Sequence, residues 1–169
     1  MNGDAIGFGQ SLLWACDFIV AREDAVISDA HMSLGQVVDH EGNRRGMPWA
    51  VTPGDGLMSF WPLFLPHTKA KEFMMLSRTL TAKDLAALNI INYAVPAELL
   101  DATLESLLKE LLAKPQYALE RVKRVANKHL IQQWNLVQDL GWSYEQWDFT
   151  NHAMEGHMEP GWTPDQSTD

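Results

Sequence analysis

A chain of 169 residues, 46% hydrophobic and 21% charged, has the make-up of one globular domain able to bury a core. Its net charge of −9 offers no basic face to phosphates, which excludes nucleic-acid binding, and no apolar run is long enough to span a membrane. The lone Cys16 excludes an internal disulfide, and with no basic-then-apolar leader the cytoplasm is the expected compartment.

The chain opens on a glycine-spaced turn, Asn2-Gly3-Asp4-Ala5-Ile6-Gly7-Phe8-Gly9-Gln10, that runs into the apolar segment Ser11-Leu12-Leu13-Trp14-Ala15-Cys16. Glycines permit sharp bends and a close approach of backbone to ligand. A helix starting near Phe8 would aim its free N–H groups and positive dipole end at that ligand, an arrangement suited to an anion or a developing oxyanion. A plain turn before a buried helix fits the same residues. Such a turn normally follows a strand, so a longer protein is expected to extend ahead of Met1. The Gly3, Gly7 and Gly9 spacing also matches the dinucleotide turn of short-chain dehydrogenases, but the preceding strand and a Tyr-x-x-x-Lys pair are both missing.

Residues 17–21 read as a strand and 26–28 as a second, short one. Asp29-Ala30-His31-Met32-Ser33-Leu34-Gly35 mixes polar and apolar positions and ends at a glycine. Residues 36–52 show no usable period and read as a long loop, a kind that is usually functional or mobile. Within it Asp39, His40 and Glu41 are adjacent and cannot all face one metal, so no metal is expected. Arg44 and Arg45 fit either a phosphate contact or a solvated pair. Pro53-Gly54-Asp55-Gly56 is a turn that starts a helix through Trp61, which Pro62 distorts and Pro66 ends.

Helices dominate the remainder. Thr68 is placed to cap one of them, and Thr81-Ala82-Lys83-Asp84 fits a capping box opening another that reaches Leu88. Asn89 suits a left-handed cap, and residues 90–95 form a strand stopped by Pro96. Leu100, Leu104, Leu107, Leu108 and Leu111 share a helical face read as core. Pro115 suits the first turn of a longer helix through Val137, and Trp142, Tyr144, Trp147 and Phe149 give a separate aromatic helix. His152 and His157 lack the helical two-histidine spacing of a metal site, and the chain ends in a polar tail.

This order of motifs resembles the second half of the crotonase superfamily, the enoyl-CoA hydratases and isomerases. The resemblance runs from the Asn-Gly start and the Ala15-Cys16-Asp17 helix end to Asp29-Ala30-His31-Met32-Ser33-Leu34-Gly35. It continues through Pro53-Gly54-Asp55-Gly56, the Leu80-to-Asp84 segment, Val95-Pro96 and Lys114-Pro115. It implies an α/β fold, the C-terminal portion of a crotonase-like β-β-α spiral (residues 1–96). A helical trimerisation or lid region (97–153) and a tail (154–169) follow. It also implies a homotrimer or hexamer assembled through the apolar helices after Pro96. The substrate it implies is an acyl-CoA thioester or related carbonyl compound, with coenzyme A part of the substrate and no separate cofactor.

Site residues follow from the resemblance position by position. The backbone N–H of Phe8, flanked by Gly7 and Gly9, falls at the second oxyanion donor. The two hydratase glutamates fall on Ser11 and His31, so two-glutamate hydration is not expected. In its place stands a His31–Asp55 pair, with His31 the acid–base group and Asp55 its orienter, while Asp29 is the rival partner if it shares a strand face with His31. Gly7, Gly9, Ser11, Asp29 and Gly54 are the expected substrate-binding positions. β-Diketone hydrolases of the superfamily are similar in this His and Asp, which gives an alternative carbon–carbon hydrolase reading. A chain without activity that serves assembly only is the third.

Overall fold

The computed structural model describes residues 1–33, 37–38, 44–45 and 50–153. Strand β1 (Ala5–Ile6) leads through Gly7 into helix α1 (Phe8–Trp14), and β2 (Val20–Arg22) and β3 (Val26–Ser28) follow. β1 runs parallel to β3, with Ala5 opposite Ile27, so the glycine turn does have a short strand ahead of it. After a single 3-10 turn (His31–Ser33), Val37–Val38 (β4) pairs antiparallel with Arg44–Arg45 (β5). The segment expected to be a structureless loop therefore contains a ladder. Arg44 and Arg45 belong to it by their backbone, whereas Asp39, His40, Glu41 and His157 lie outside the described residues.

Helices α2 (Leu57–Phe64) and α3 (His67–Met75) come next. Strand β6 (Thr79–Thr81) joins β3 antiparallel, and α4 (Ala82–Ala87) precedes β7 (Tyr93–Val95), which pairs parallel with β2. The capping box is present: the Thr81 hydroxyl accepts from the Asp84 N–H while the Asp84 carboxylate accepts from the Thr81 N–H. Asn89 adopts φ 58°. Pro62 sits inside α2, and Pro66 ends it by serving as N-cap of α3, so Thr68 caps nothing. The described residues close with α5 (Leu100–Leu112), the long α6 (Gln116–Asp148) and a π-turn (Phe149–Ala153). The expected break before the aromatic segment is absent. Between Pro115 and the π-turn there is no second proline, and the strong helix formers carry the helix through Gly141.

The core gathers Trp14, Ile27, Leu57, Trp61, Phe73 and Leu85 between the sheets and α1 to α4. Trp61 is fixed at its centre, edge-on to Trp14 and 4.2 Å from the Phe73 ring. The leucine face of α5 is not core within this chain: Leu107 is buried, but Leu104, Leu108 and Leu112 are exposed. Trp142 and Trp147 on α6 and Phe149 at the start of the π-turn are exposed, while Trp134 packs on Phe60. No described helix is long and apolar enough to cross a membrane.

Candidate active site

The chain leaves β3 at Ser28 and turns at once, which makes Asp29 and His31 partners through local geometry. Asp29 is wholly buried, and its Oδ1 accepts from the His31 backbone N–H at 3.1 Å and from the ring Nδ1 at 2.5 Å. A carboxylate can only accept, so the proton of this pair lies on Nδ1 and Nε2 is the working nitrogen. Nε2 faces two further carboxylates, Asp55 Oδ2 at 3.8 Å and Glu145 Oε1 at 3.7 Å. Both distances exceed a hydrogen bond, and together they frame a seat for one bridging polar atom. The orienting partner of His31 is thus Asp29, by a turn and not by a shared strand face. Asp55 stands at the opposite ring nitrogen.

Asp55 is held from both sides of its turn. The Ser11 hydroxyl donates to the Asp55 carbonyl at 2.6 Å, tying the turn to α1. Gly56 adopts φ 111°, and a Cβ there would lie 2.8 Å from the Trp134 ring, so the position requires glycine. Above the turn sits α6. A Cβ on Gly54 would meet Glu145 Oε2 at 2.6 Å and the Gly141 carbonyl at 2.9 Å. Gln138, buried, donates from Nε2 to the Gly54 carbonyl at 2.5 Å and accepts from the Ser59 hydroxyl at 3.0 Å. Thr52 donates both its N–H and its hydroxyl to Asp148 Oδ2, at 2.7 and 2.6 Å. Asp55 Oδ2 and Asp29 Oδ2 are buried with no hydrogen bond among the described residues, two acceptors left for something else.

The electrostatics are those of one imidazole among three carboxylates. Burial is the largest single influence on His31 and lowers its pKa. The Asp29 hydrogen bond and charge, joined by Asp55 and Glu145, outweigh it and set the pKa above the ordinary value. Asp55 and Glu145 are both raised, chiefly by burial, with the His31 charge pulling each back down. The cluster therefore retains protons that exposed groups would lose, a condition for acid–base work near neutrality.

The start of α1 lies against the same segment. Gly7 has φ 54°, and its N–H donates to the Ser28 carbonyl at 3.1 Å, the residue before Asp29. Gln10, also buried, donates from Nε2 to that carbonyl at 2.6 Å and accepts from the Trp61 indole at 3.0 Å. Phe8 opens the helix, so its N–H has no intrahelical acceptor, and no other partner is present among the described residues. Its side chain is exposed, and Gly9 lies against Ala5.

A cavity of about 370 Å³ is mostly apolar, with Met32, Pro53, Met58, Pro62 and Met74 in its walls; it is lined by chain neighbours of His31 and Gly54 and by none of the clustered groups themselves. A larger one of about 1100 Å³ lies between α1, α2 and the first half of α6 and is lined by none of the sequence-predicted site residues.

Sequence reasoning missed Glu145, Gln138, Asp148 and Gln10. A signal for three of them existed. Trp134, Gln138, Gly141, Glu145 and Asp148 recur every three or four residues, which sets a polar and small-residue stripe on one face of α6.

The family model for enoyl-CoA hydratase/isomerase matches residues 1–159. The crotonyl-CoA hydratase of Syntrophomonas wolfei is 25% identical over 128 residues, 76% of this chain and 44% of its own. An enoyl-CoA hydratase/isomerase structure from Mycobacterium paratuberculosis aligns with a TM-score of 0.73 at 27% identity, covering 89% of this chain and 54% of that one. A β-diketone hydrolase structure from the cyanobacterium Anabaena aligns with a TM-score of 0.75 at 23% identity over the same shares, a likeness of fold. The chain spans about half the length of these relatives. Fold and sequence agree, and the chain belongs to the enoyl-CoA hydratase/isomerase family.

Proposed function

We propose that this chain carries the proton-transfer side of a site that acts on an acyl-CoA thioester through an oxyanion-stabilised enolate. The observation behind this is the His31 ring, anchored at Nδ1 by Asp29, with Nε2 facing Asp55 and Glu145 across a gap of one polar atom. Ser11 and His31 occupy the positions where the family resemblance implies glutamates, and here the carboxylates come instead from Asp55 and Glu145. In hydration, water seated at Nε2 gives a proton to one of these carboxylates as its oxygen bonds to the β-carbon. The electron pair of the double bond passes to the thioester oxygen, where the Phe8 N–H is the donor; as the enolate collapses the His31 imidazolium gives its Nε2 proton to the α-carbon, and the protonated carboxyl then restores that proton to Nε2. In isomerisation the same groups remove a proton at one carbon and return it at another. One such backbone donor is worth roughly 3–4 kcal/mol at the transition state. The apolar cavity walled by Met32 and Met58 gives room for the acyl group.

The test is deuterium exchange at the α-carbon of butyryl-CoA, followed by NMR, together with hydration of crotonyl-CoA. Exchange that disappears in His31→Gln supports the reading, and exchange equal in the two proteins refutes it. Cleavage of a β-diketone is the second reading, favoured by the His31–Asp29 pair beside a water seat and by the likeness to the Anabaena hydrolase. Water would add to one carbonyl carbon, the bond to the central carbon would break, and the enolate left behind would take its proton from His31. Turnover of a β-diketone without turnover of any thioester selects it. Inactivity toward both in a full-length version, with the first half of the fold present, selects the assembly-only reading.

A further inference from the structure

The bonds between α6 and the loop before α2 have no role in the chemistry just described, yet they surround one of its groups. Both donors of Thr52 converge on a single oxygen of Asp148, and Gln138 is buried with its amide engaged at both ends, to Gly54 and to Ser59. Glu145 lies between these two attachments on the same face of the helix. With a rise of about 1.5 Å per residue, it is roughly 5 Å from Asp148 and roughly 10 Å from Gln138 along the axis. The helix and the turn meet through two glycines: a Cβ on Gly54 would lie 2.9 Å from the Gly141 carbonyl, too close to be accommodated without a shift. The helix gives way to a π-turn immediately after Asp148. A helix end is where fraying is expected, and here it is tied down.

We propose that the end of α6 is a clasp, closed by Asp148 on Thr52 and by Gln138 on Gly54, that sets the distance from Glu145 to His31 and makes Thr52, Gln138 and Asp148 positioning residues of the site. The clasp rests on His31 and Glu145 being working groups, but it is read through the titration of His31, which needs no substrate. Among the described residues the charged groups facing His31 are Asp29, Asp55 and Glu145, and those facing Glu145 are His31, Asp55 and Asp148.

The experiment follows the His31 ring proton against pH by NMR in the intact chain, with thermal melts to confirm folding. Glu145→Gln removes a negative charge beside Nε2 and lowers the His31 pKa. Asp148→Ala releases the helix end and lowers it in the same direction, and adds nothing further in the presence of Glu145→Gln. Asp148→Asn keeps an acceptor for Thr52 while losing the charge, so it stays near the wild-type titration. Thr52→Val keeps every charge, loses one bond, and shifts part of the way. The clasp is overturned if Asp148→Ala and Thr52→Val titrate as wild type while Glu145→Gln shifts, or if Asp148→Asn shifts as far as Asp148→Ala, which would make the effect one of charge alone. A Glu145→Gln protein that titrates as wild type overturns the clasp and also removes Glu145 from the proposed site, whatever the exchange assay gives.

Discussion

Replacing Asp29 by asparagine tests what holds the imidazole. The side-chain carbonyl of the amide can still accept from Nδ1 and from the His31 N–H, so the ring keeps its place and only the charge is lost. A hydrogen bond to a charged group is worth about 1.5–3 kcal/mol and a neutral one about 0.5–1.5. The difference, about 1–1.5 kcal/mol, is what the charged partner contributes to holding the protonated ring. The full difference applies, because the carboxylate is wholly buried and the contact measures 2.5 Å. The His31 pKa, followed by NMR of the ring protons, therefore falls in Asp29→Asn, because the charged partner that raises it is gone. A second effect comes from Asp29 Oδ2, which has no hydrogen bond among the described residues. The new amide NH₂ at that place is a buried donor without an acceptor, costing about 1–3 kcal/mol of stability. For a chain of this size that is a fall of roughly 2–12 °C in Tm. A His31 pKa at or above that of the wild type would refute the reading of Asp29 as the charged partner.

Glu145→Gln lowers turnover by about 10²- to 10⁴-fold, the range for loss of an acid–base group, with the melting temperature little changed. Gly56→Ala combines a left-handed φ with a clash against Trp134. The two together destabilise by about 2–5 kcal/mol, read from the midpoint of urea unfolding. The pH dependence of stability follows from three raised pKa values. His31, Asp55 and Glu145 each hold their protons more tightly folded than unfolded, so each adds stability that is complete below its unfolded pKa and lost as pH rises through the folded one. For His31 that loss begins near 6.5. Urea stability measured from about pH 6 to 9 falls accordingly, and His31→Gln flattens the fall. The exposed Leu136, Leu140 and Trp147 of α6 fit a face that meets other copies of the chain, so Leu140→Glu with Trp147→Glu lowers the mass found by sedimentation. A wild-type chain that sediments as a monomer contradicts this.

What can be read in the sequence is what is encoded locally. The helix start at Phe8, the box at Thr81 and Asp84 and the left-handed Asn89 each depend on a few neighbouring residues, and each is present. His31 and Asp55 stand out for their chemistry. Their relation does not, because a turn of three residues, invisible to a strand pattern, brings Asp29 to Nδ1 first. Glu145 lies far down the chain from His31, on a helix whose polar stripe looks like an ordinary solvated face. The close packing of Gly141 on Gly54, together with the bonds from Gln138 to Gly54 and from Thr52 to Asp148, turns that stripe inward. The leucines of α5 show the opposite error: a clean apolar face marks burial, but not burial within the same chain.

The His31 carbonyl has a partner of its own, the N–H of Val51 at 3.0 Å. The chain therefore departs from His31 and returns to it, so that everything between the two is an excursion whose ends are stitched together. Closing such an excursion depends only weakly on its length, roughly 0.6 kcal/mol for each doubling. Evolution can thus splice residues in or out of this stretch while the imidazole, its buried carboxylate and the turn carrying Asp55 stay where they are. The proton-moving groups are thereby insulated from changes in the number of residues between those two ends.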